Sequence, residues 1–503
     1  MEILGLVDIP VWVLLLVLLF TLLYLYGTWT YSTWSSVGIP GPRPVPLLGN
    51  NLQTARQPPH KSFEQWLKMY GRVFGIYQGV RPQLVVTDLD LLREIMVKNF
   101  SNFVDRHFIP GLRPPVVDKG VFFARGTTWK RIRNMMTPTF STSKLKLMCH
   151  YINRCSQLLS ENIKQKTQNQ EVVDVKDVFG SFTMDVIAGT AFGLETNSQT
   201  QDAEPFVFHM KRMFQRLSGG FGLAIQIATA FPFLGPVFGK LGMGAFGNEH
   251  TQFFMKALDG IIESRKNGST RDEADADAIT DRAEDSDDTK THRRMTKDEI
   301  LGQGFLVLIA GYETTATTLQ YLAYNLTMHP DVQQKVVDEI REKLGDADPT
   351  YENVASLTYL DAAIHETLRL FPPVPLINRQ AAETITLRGF TIPAGCGVTI
   401  PIYQILHDSE YFSEPEKFMP DRFCGENRSK VPALAIELAF GYGPRQCIGM
   451  RLALLEIKFA AVRIFRHFRF LKCDDTPDQV KLTSQALTVP DKPIKVKTEL
   501  RDA

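Results

Sequence analysis

The sequence predicts a mainly α-helical protein with small β-sheets, preceded by one N-terminal transmembrane helix. Three observations carry that prediction. Apolar residues recur at three- and four-residue spacing in "DLLREIMVKNF", "WKRIRNMM", "QFFMKALDGIIESRK", "PDVQQKVVDEIREKL" and "LDAAIHETLRL", as one-sided helices require. Strand-like runs are fewer and short: "VFGIYQG", "QLVVT", "ETITLRGFTIP" and "KPIKVKTEL". The stretch from Ile9 to Trp34 contains no charged residue.

That first stretch is long enough to cross a bilayer, which takes roughly 20 apolar residues. Trp12, Tyr24, Tyr26, Trp29 and Trp34 fall near its ends, where interfacial aromatics are expected. A cleaved signal peptide would have a basic start and a small-residue cleavage site; here Glu2 and Asp8 come first and no such site follows. Residues 1–36 are therefore predicted to be an uncleaved anchor. The first basic residue after it is Arg43, which places the body on the cytosolic side. Residues 37–50, "GIPGPRPVPLLGN" with Pro40, Pro42, Pro44 and Pro46, predict a stiff extended hinge.

The body, 51–503, shows no internal repeat. Residues 267–294 are acidic, polar and poor in large apolar side chains, and predict a flexible linker inside the body. The segment Gly219–Gly247 is the opposite, apolar and broken by glycine and proline. It suits either a buried core piece or an exposed patch dipping into lipid. A net charge of +1 gives no support for nucleic-acid binding. Six cysteines without C-x-x-C spacing predict neither a disulfide framework nor a zinc cluster.

One cysteine has unusual neighbours. In "FGYGPRQCIG", Gly441, Gly443 and Gly449 surround Cys447 and allow close approach of a flat group to the backbone. The following "MRLALLEIKFAAVRIF" predicts a helix whose N-terminal amides stabilise a thiolate. Arg445 suits an anionic group on the same ligand. Further upstream, "TKDEILGQGFLVLIAGYETTATTLQYLAYNLTMHP" predicts one helix of more than thirty residues, about 50 Å long. Thr296 and Glu299 form its capping box and His329-Pro330 ends it.

The run from Phe440 to Gly449 resembles the haem-binding signature of the cytochromes P-450, F-x-x-G-x-R-x-C-x-G, with every position filled. Ala439 departs from it where many relatives have proline. The resemblance extends over essentially the whole chain, and it implies the P-450 fold in a single haem-binding catalytic domain over 51–503. It implies haem b (iron protoporphyrin IX) with Cys447 as axial ligand, seated on Phe440, Gly441 and Gly449. Trp129 and Arg133 of "WKRIR", with Arg106, Arg379 and Arg445, are implied to hold the propionates. Lys130 and Arg131 are left to face solvent or an acidic redox partner. In "AGYETT", Glu313 and Thr314 are implied to relay protons to bound oxygen. Glu366 and Arg369 of "ETLR", with Arg422 of "FMPDRF", are implied to form a buried ion network. Phe108, Phe305, Ile309, Ala310, Val374 and Leu376 are implied to line the substrate pocket.

The resemblance is strongest to the vertebrate microsomal family-three type. It implies a monooxygenase of the endoplasmic reticulum membrane that hydroxylates lipophilic steroids, drugs and other xenobiotics. O2 is the co-substrate. Electrons come from NADPH through NADPH-cytochrome P-450 reductase, with cytochrome b5 as an optional second partner. Two alternatives differ in chemistry. An isomerase of fatty endoperoxides, like thromboxane synthase, would need no proton relay, yet this chain keeps Thr314. A non-catalytic haem sensor or carrier would need neither Glu313 nor Thr314.

Overall fold

The computed structural model describes residues 2–3, 7–8, 10–109, 111–201, 204–218, 223–244, 246–266, 294–483 and 487–501. The predicted acidic linker, except for Arg294, lies outside the described residues. Two compact units emerge: Met1–Leu112 with Phe221–Gly244 and Asn378–Pro401, and Arg113–Gly220 with Ala245–Ile377 and Ile402–Ala503.

The first unit begins with helix α1 (Val11–Thr28), most of whose side chains are exposed, Trp12, Leu15, Phe20, Tyr24 and Leu25 among them. It is the one helix among the described residues long and apolar enough to cross a membrane. The unit's sheet has strands β1 (Val73–Gln78), β2 (Arg81–Val86), β3 (Ile377–Gln380) and β4 (Gly397–Ile400) in the order β1-β2-β4-β3. β1 and β2 pair antiparallel, β2 and β4 parallel. β3 and β4 lack the alternating pattern by which sequence marks a strand; β4 is buried at every position.

One expectation about the N-terminus is corrected here. Trp34 is not an interfacial aromatic: it is 3% exposed, its indole nitrogen donates to the Ile76 carbonyl at 3.1 Å, and its ring covers Gly75 so closely that no Cβ would fit. The proline-rich stretch is held against the first unit's sheet. Gly41 packs against Gly75, the Pro40 carbonyl accepts from the Gly75 amide at 2.8 Å, and Asn50 accepts from the Tyr77 amide. Lacking amide protons at its prolines, the segment lies along β1 through carbonyls and side chains.

The apolar segment after residue 222 has two faces. Ile225, Ala228 and Phe238 pack with Ile109 and Leu112. Phe233, Val237, Leu241 and Met243 are exposed, Phe233 by 68%. Tyr26 of α1 stacks on Phe231 at 5.4 Å and donates to the Ala230 carbonyl.

The second unit is helical. Helices α2 (Gly126–Met136), α3 (Thr142–Gln168), α4 (Val175–Phe192), α5 (Pro205–Ser218), α6 (Asn248–Lys266), α7 (Lys297–Met328), α8 (Thr358–Leu370) and α9 (Met450–His467) form most of it. Its core joins α3, α4, α7, α8 and α9 through Leu159, Phe182, Leu322, Ile364 and Phe459. The central α7 starts at the capping box of Thr296 and Glu299 and spans about 48 Å. Glycines let neighbours approach it: a Cβ at Gly311 would meet Ile187 of α4 at 2.7 Å, and one at Gly302 the Val116 carbonyl at 2.4 Å. Phe468–Leu471, Lys495–Leu500 and Val173–Asp174 form a three-stranded sheet.

Candidate active site

The loop before α9 is built to present one sulfur. Gly441 and Gly443 hold φ of +79° and +75°, a region closed to most residues with a Cβ. The Cys447 amide donates to the Phe440 carbonyl at 2.8 Å, which closes the loop on itself. Gly449 then begins α9. All six cysteines are free thiols, and the Cys447 side chain is accessible although protein surrounds it on wider shells. Burial raises its pKa, and the Gly449 amide, the Arg133 guanidinium and the Met450 amide offset only part of that rise. Phe440 is half-buried against the core.

Around this loop the second unit gathers cations. Trp129 and Arg133 share one face of α2, Trp129 buried and Arg133 half-buried. The Arg445 guanidinium lies 4.4 Å over the Trp129 ring and donates to the carbonyls of Val121, Phe122 and Ala124, the last at 2.7 Å. Arg133, lowered in pKa by burial, has no carboxylate partner among the described residues. A thiolate held by helix amides, with a cation beside it that no side-chain anion neutralises, fits an iron porphyrin carrying carboxylates. In the first unit, Arg106 and Arg379 are both buried. Among the described residues Arg379 donates only to the Asn378 carbonyl and its Nε has no hydrogen-bond partner; burial lowers its pKa to about 10.

The α7 motif divides between two faces. Thr314 is half-buried and its hydroxyl donates to the Ala310 carbonyl at 2.7 Å; Ala310 is exposed. Glu313, next in sequence, points about 100° away around the helix. It is 6% exposed and accepts from Lys176 Nζ of α4 at 2.8 Å and from Thr317. Thr314 and Glu313 are thus adjacent in sequence and directed apart in space. Lys176 is the residue that sequence reasoning missed, because its partner lies in another helix with no local signal.

Glu366, Arg369 and Arg422 are brought together, all buried. Arg369 grips Glu366 through Nε at 2.7 Å and Nη2 at 2.9 Å; Arg422 Nε donates to the same carboxylate at 3.0 Å, as does the Met419 amide at 2.9 Å. The remaining guanidinium hydrogens go to carbonyls of Leu406, Pro415, Lys417, Ser413 and Glu414. These carbonyls belong to the segment that leads toward the Cys447 loop.

Of the pocket residues, Ile309, Val374 and Leu376 are half-buried, and Phe108 is half-buried in the first unit. Phe305 is enclosed by Phe246 and Phe254 and is core rather than lining. Arg131 is not free to face a partner: it is paired with Glu299 of α7 and donates to the Arg294 carbonyl. Lys130 stays exposed.

A family model described as Cytochrome P450 matches residues 39–498. The chain is similar to Cytochrome P450 3A5 of Homo sapiens, 38% identical over 100% of this chain and 99% of the relative. It is similar to Cytochrome P450 3A29 of Sus scrofa and 3A28 of Bos taurus, each 36% identical over at least 98% of this chain and 97% of the relative. The fold, the presented thiol and these end-to-end likenesses agree: the chain belongs to the cytochrome P450 family and is a monooxygenase that uses haem b, O2 and NADPH-derived electrons.

Proposed function

We propose that this chain hydroxylates bulky lipophilic molecules, steroids and drugs among them, with electrons from NADPH-cytochrome P-450 reductase, and cytochrome b5 as an optional second partner. It does so as one catalytic domain, 51–503, held on the cytosolic face of the endoplasmic reticulum by α1. The observation that carries the reading is the accessible Cys447 sulfur, backed by the α9 amides and Arg133.

When bound, the haem supplies reductive cleavage of O2, one oxygen atom entering a C–H bond and the other leaving as water. Cys447 Sγ would bind its iron, and Gly441 and Gly449 would leave room for the ring. Trp129, Arg133 and Arg445 would hold its carboxylates; Arg106 and Arg379 are assigned the same role on the family resemblance. Thr314 Oγ1 donates to a carbonyl within its own helix and can turn outward to pass a proton from the less enclosed face of α7. Glu313 joins that relay only when its carboxylate leaves Lys176, so Lys176 sets its availability. Ile309, Ala310, Val374, Leu376 and Phe108 supply apolar surface for substrate. Exposed Phe233, Val237, Leu241 and Met243 rest against the lipid surface beside the anchor.

The test is product identification after purified protein, reductase and NADPH meet a panel of steroids and drugs. Hydroxylated products that require both reductase and NADPH are expected, with a red-shifted Soret band for the ferrous carbon-monoxide adduct. Turnover of a fatty endoperoxide without reductase, and none of steroids with it, would overturn the reading in favour of an isomerase.

A further inference from the structure

Two histidines outside the site described above meet across two helices. His209 of α5 and His250 of α6 place their Nδ1 atoms 3.0 Å apart, with ring planes at 62°. Both are half-buried. The His209 ring is fixed by stacking on Phe253, 4.0 Å between centroids at 16°, and Phe208 and Phe254 meet it edge-on. Burial, and then the neighbouring His250, lower the His209 pKa, which keeps that imidazole neutral at pH 7 and its lone pair available.

We propose that His209 and His250 are a two-histidine site for a divalent late transition metal, Zn2+ or Cu2+, that staples α5 to α6. The spacing suits it. Two imidazole nitrogens about 2.0–2.1 Å from one ion, at angles between right and tetrahedral, lie about 2.9–3.4 Å apart. In the metal-free pair one Nδ1 holds the proton that the other accepts. On binding, that proton is carried on the outward Nε2 and both Nδ1 lone pairs turn to the ion, so the step needs no oxidant and no net loss of a proton. Among the described residues no group of three or more His, Cys, Asp or Glu forms, so water completes the shell. Glu249, the exposed residue before His250, acts electrostatically on His209 and adds a favourable negative charge. Imidazole pairs of this kind favour zinc and copper over magnesium or calcium. The staple bears on the rest of the unit through Phe254, which packs against Phe305 of α7.

The experiment is calorimetric titration of zinc chloride into the full-length, haem-loaded protein in detergent, beside His209→Phe and His250→Gln. His209→Phe keeps a ring on Phe253, and an unchanged Soret spectrum confirms that each variant is folded. One zinc equivalent is expected in the parent protein, with affinity at least about tenfold lower in both variants. The copper form should show an electron paramagnetic resonance spectrum with two coupled nitrogens that falls to one in either variant. Zinc affinity unchanged in both variants, or copper coupling that does not change with His209 or His250, would mean adventitious binding at other histidines or thiols and overturn the proposal.

Discussion

Replacing Glu366 by alanine tests the ion network most sharply. The carboxylate is 0% exposed and accepts four hydrogen bonds, three of them from guanidinium groups. With it, the cluster carries one negative and two positive charges; without it, two buried cations face each other. Four bonds at about 1.5–3 kcal/mol each set a ceiling that neighbouring sites do not reach additively. Arg369 and Arg422 keep their carbonyl acceptors, so neither becomes wholly unsatisfied. Removing one partner of a buried pair costs about 3–5 kcal/mol, and that is the expected loss. Against a typical total of about 5–15 kcal/mol it is severe. The assay is denaturant unfolding followed by circular dichroism, with haem content measured in parallel. Arg422→Met should cost less, because Arg369 still grips the carboxylate bidentately. A Glu366→Ala protein that loses under about 1 kcal/mol would refute the argument that these charges depend on one another.

Four further outcomes are expected. Thr314→Ala should keep reductase-dependent NADPH consumption while product per NADPH falls about tenfold or more, read as peroxide release against product. Arg379→Gln should lower haem retention on dilution without unfolding the chain, since its Nε has no hydrogen-bond partner among the described residues. Glu456 is 2% exposed, its Oε2 has no hydrogen-bond partner among the described residues, and burial raises its pKa well above the ordinary carboxylate value. Stability should therefore be full below the ordinary carboxylate pKa and fall as pH rises toward the raised one; Glu456→Gln should flatten that slope and raise the neutral-pH melting temperature. Phe233→Asp with Leu241→Asp should weaken vesicle binding of a protein lacking α1, measured by co-sedimentation.

Local signals were legible and distant pairings were not. The capping box of α7, the glycines around Cys447 and the i,i+3 spacing of Glu366 and Arg369 are written within a few residues, so sequence alone places them. Lys176 meeting Glu313 is not, because ion pairs between helices leave no periodic trace. Trp34 misled for a related reason: a tryptophan at the end of an apolar run has the same sequence pattern whether lipid or a strand covers it. The strand at Ile377–Gln380 alternates in burial but turns an arginine inward, so its sequence shows no apolar period, and the strand at Gly397–Ile400 is too uniformly buried to alternate. Phe305 shows the limit for pockets, since an apolar lining and an apolar core use the same residues.

Trp34 wedged over Gly75, and Tyr26 stacked on Phe231, join the anchor to the first unit by rigid contacts rather than by a tether. A tilt of α1 is thereby handed on to the sheet, as a mast hands its lean to the hull. For α1 in a bilayer, as proposed above, membrane thickness and not only membrane attachment becomes a variable to which the first unit's orientation responds.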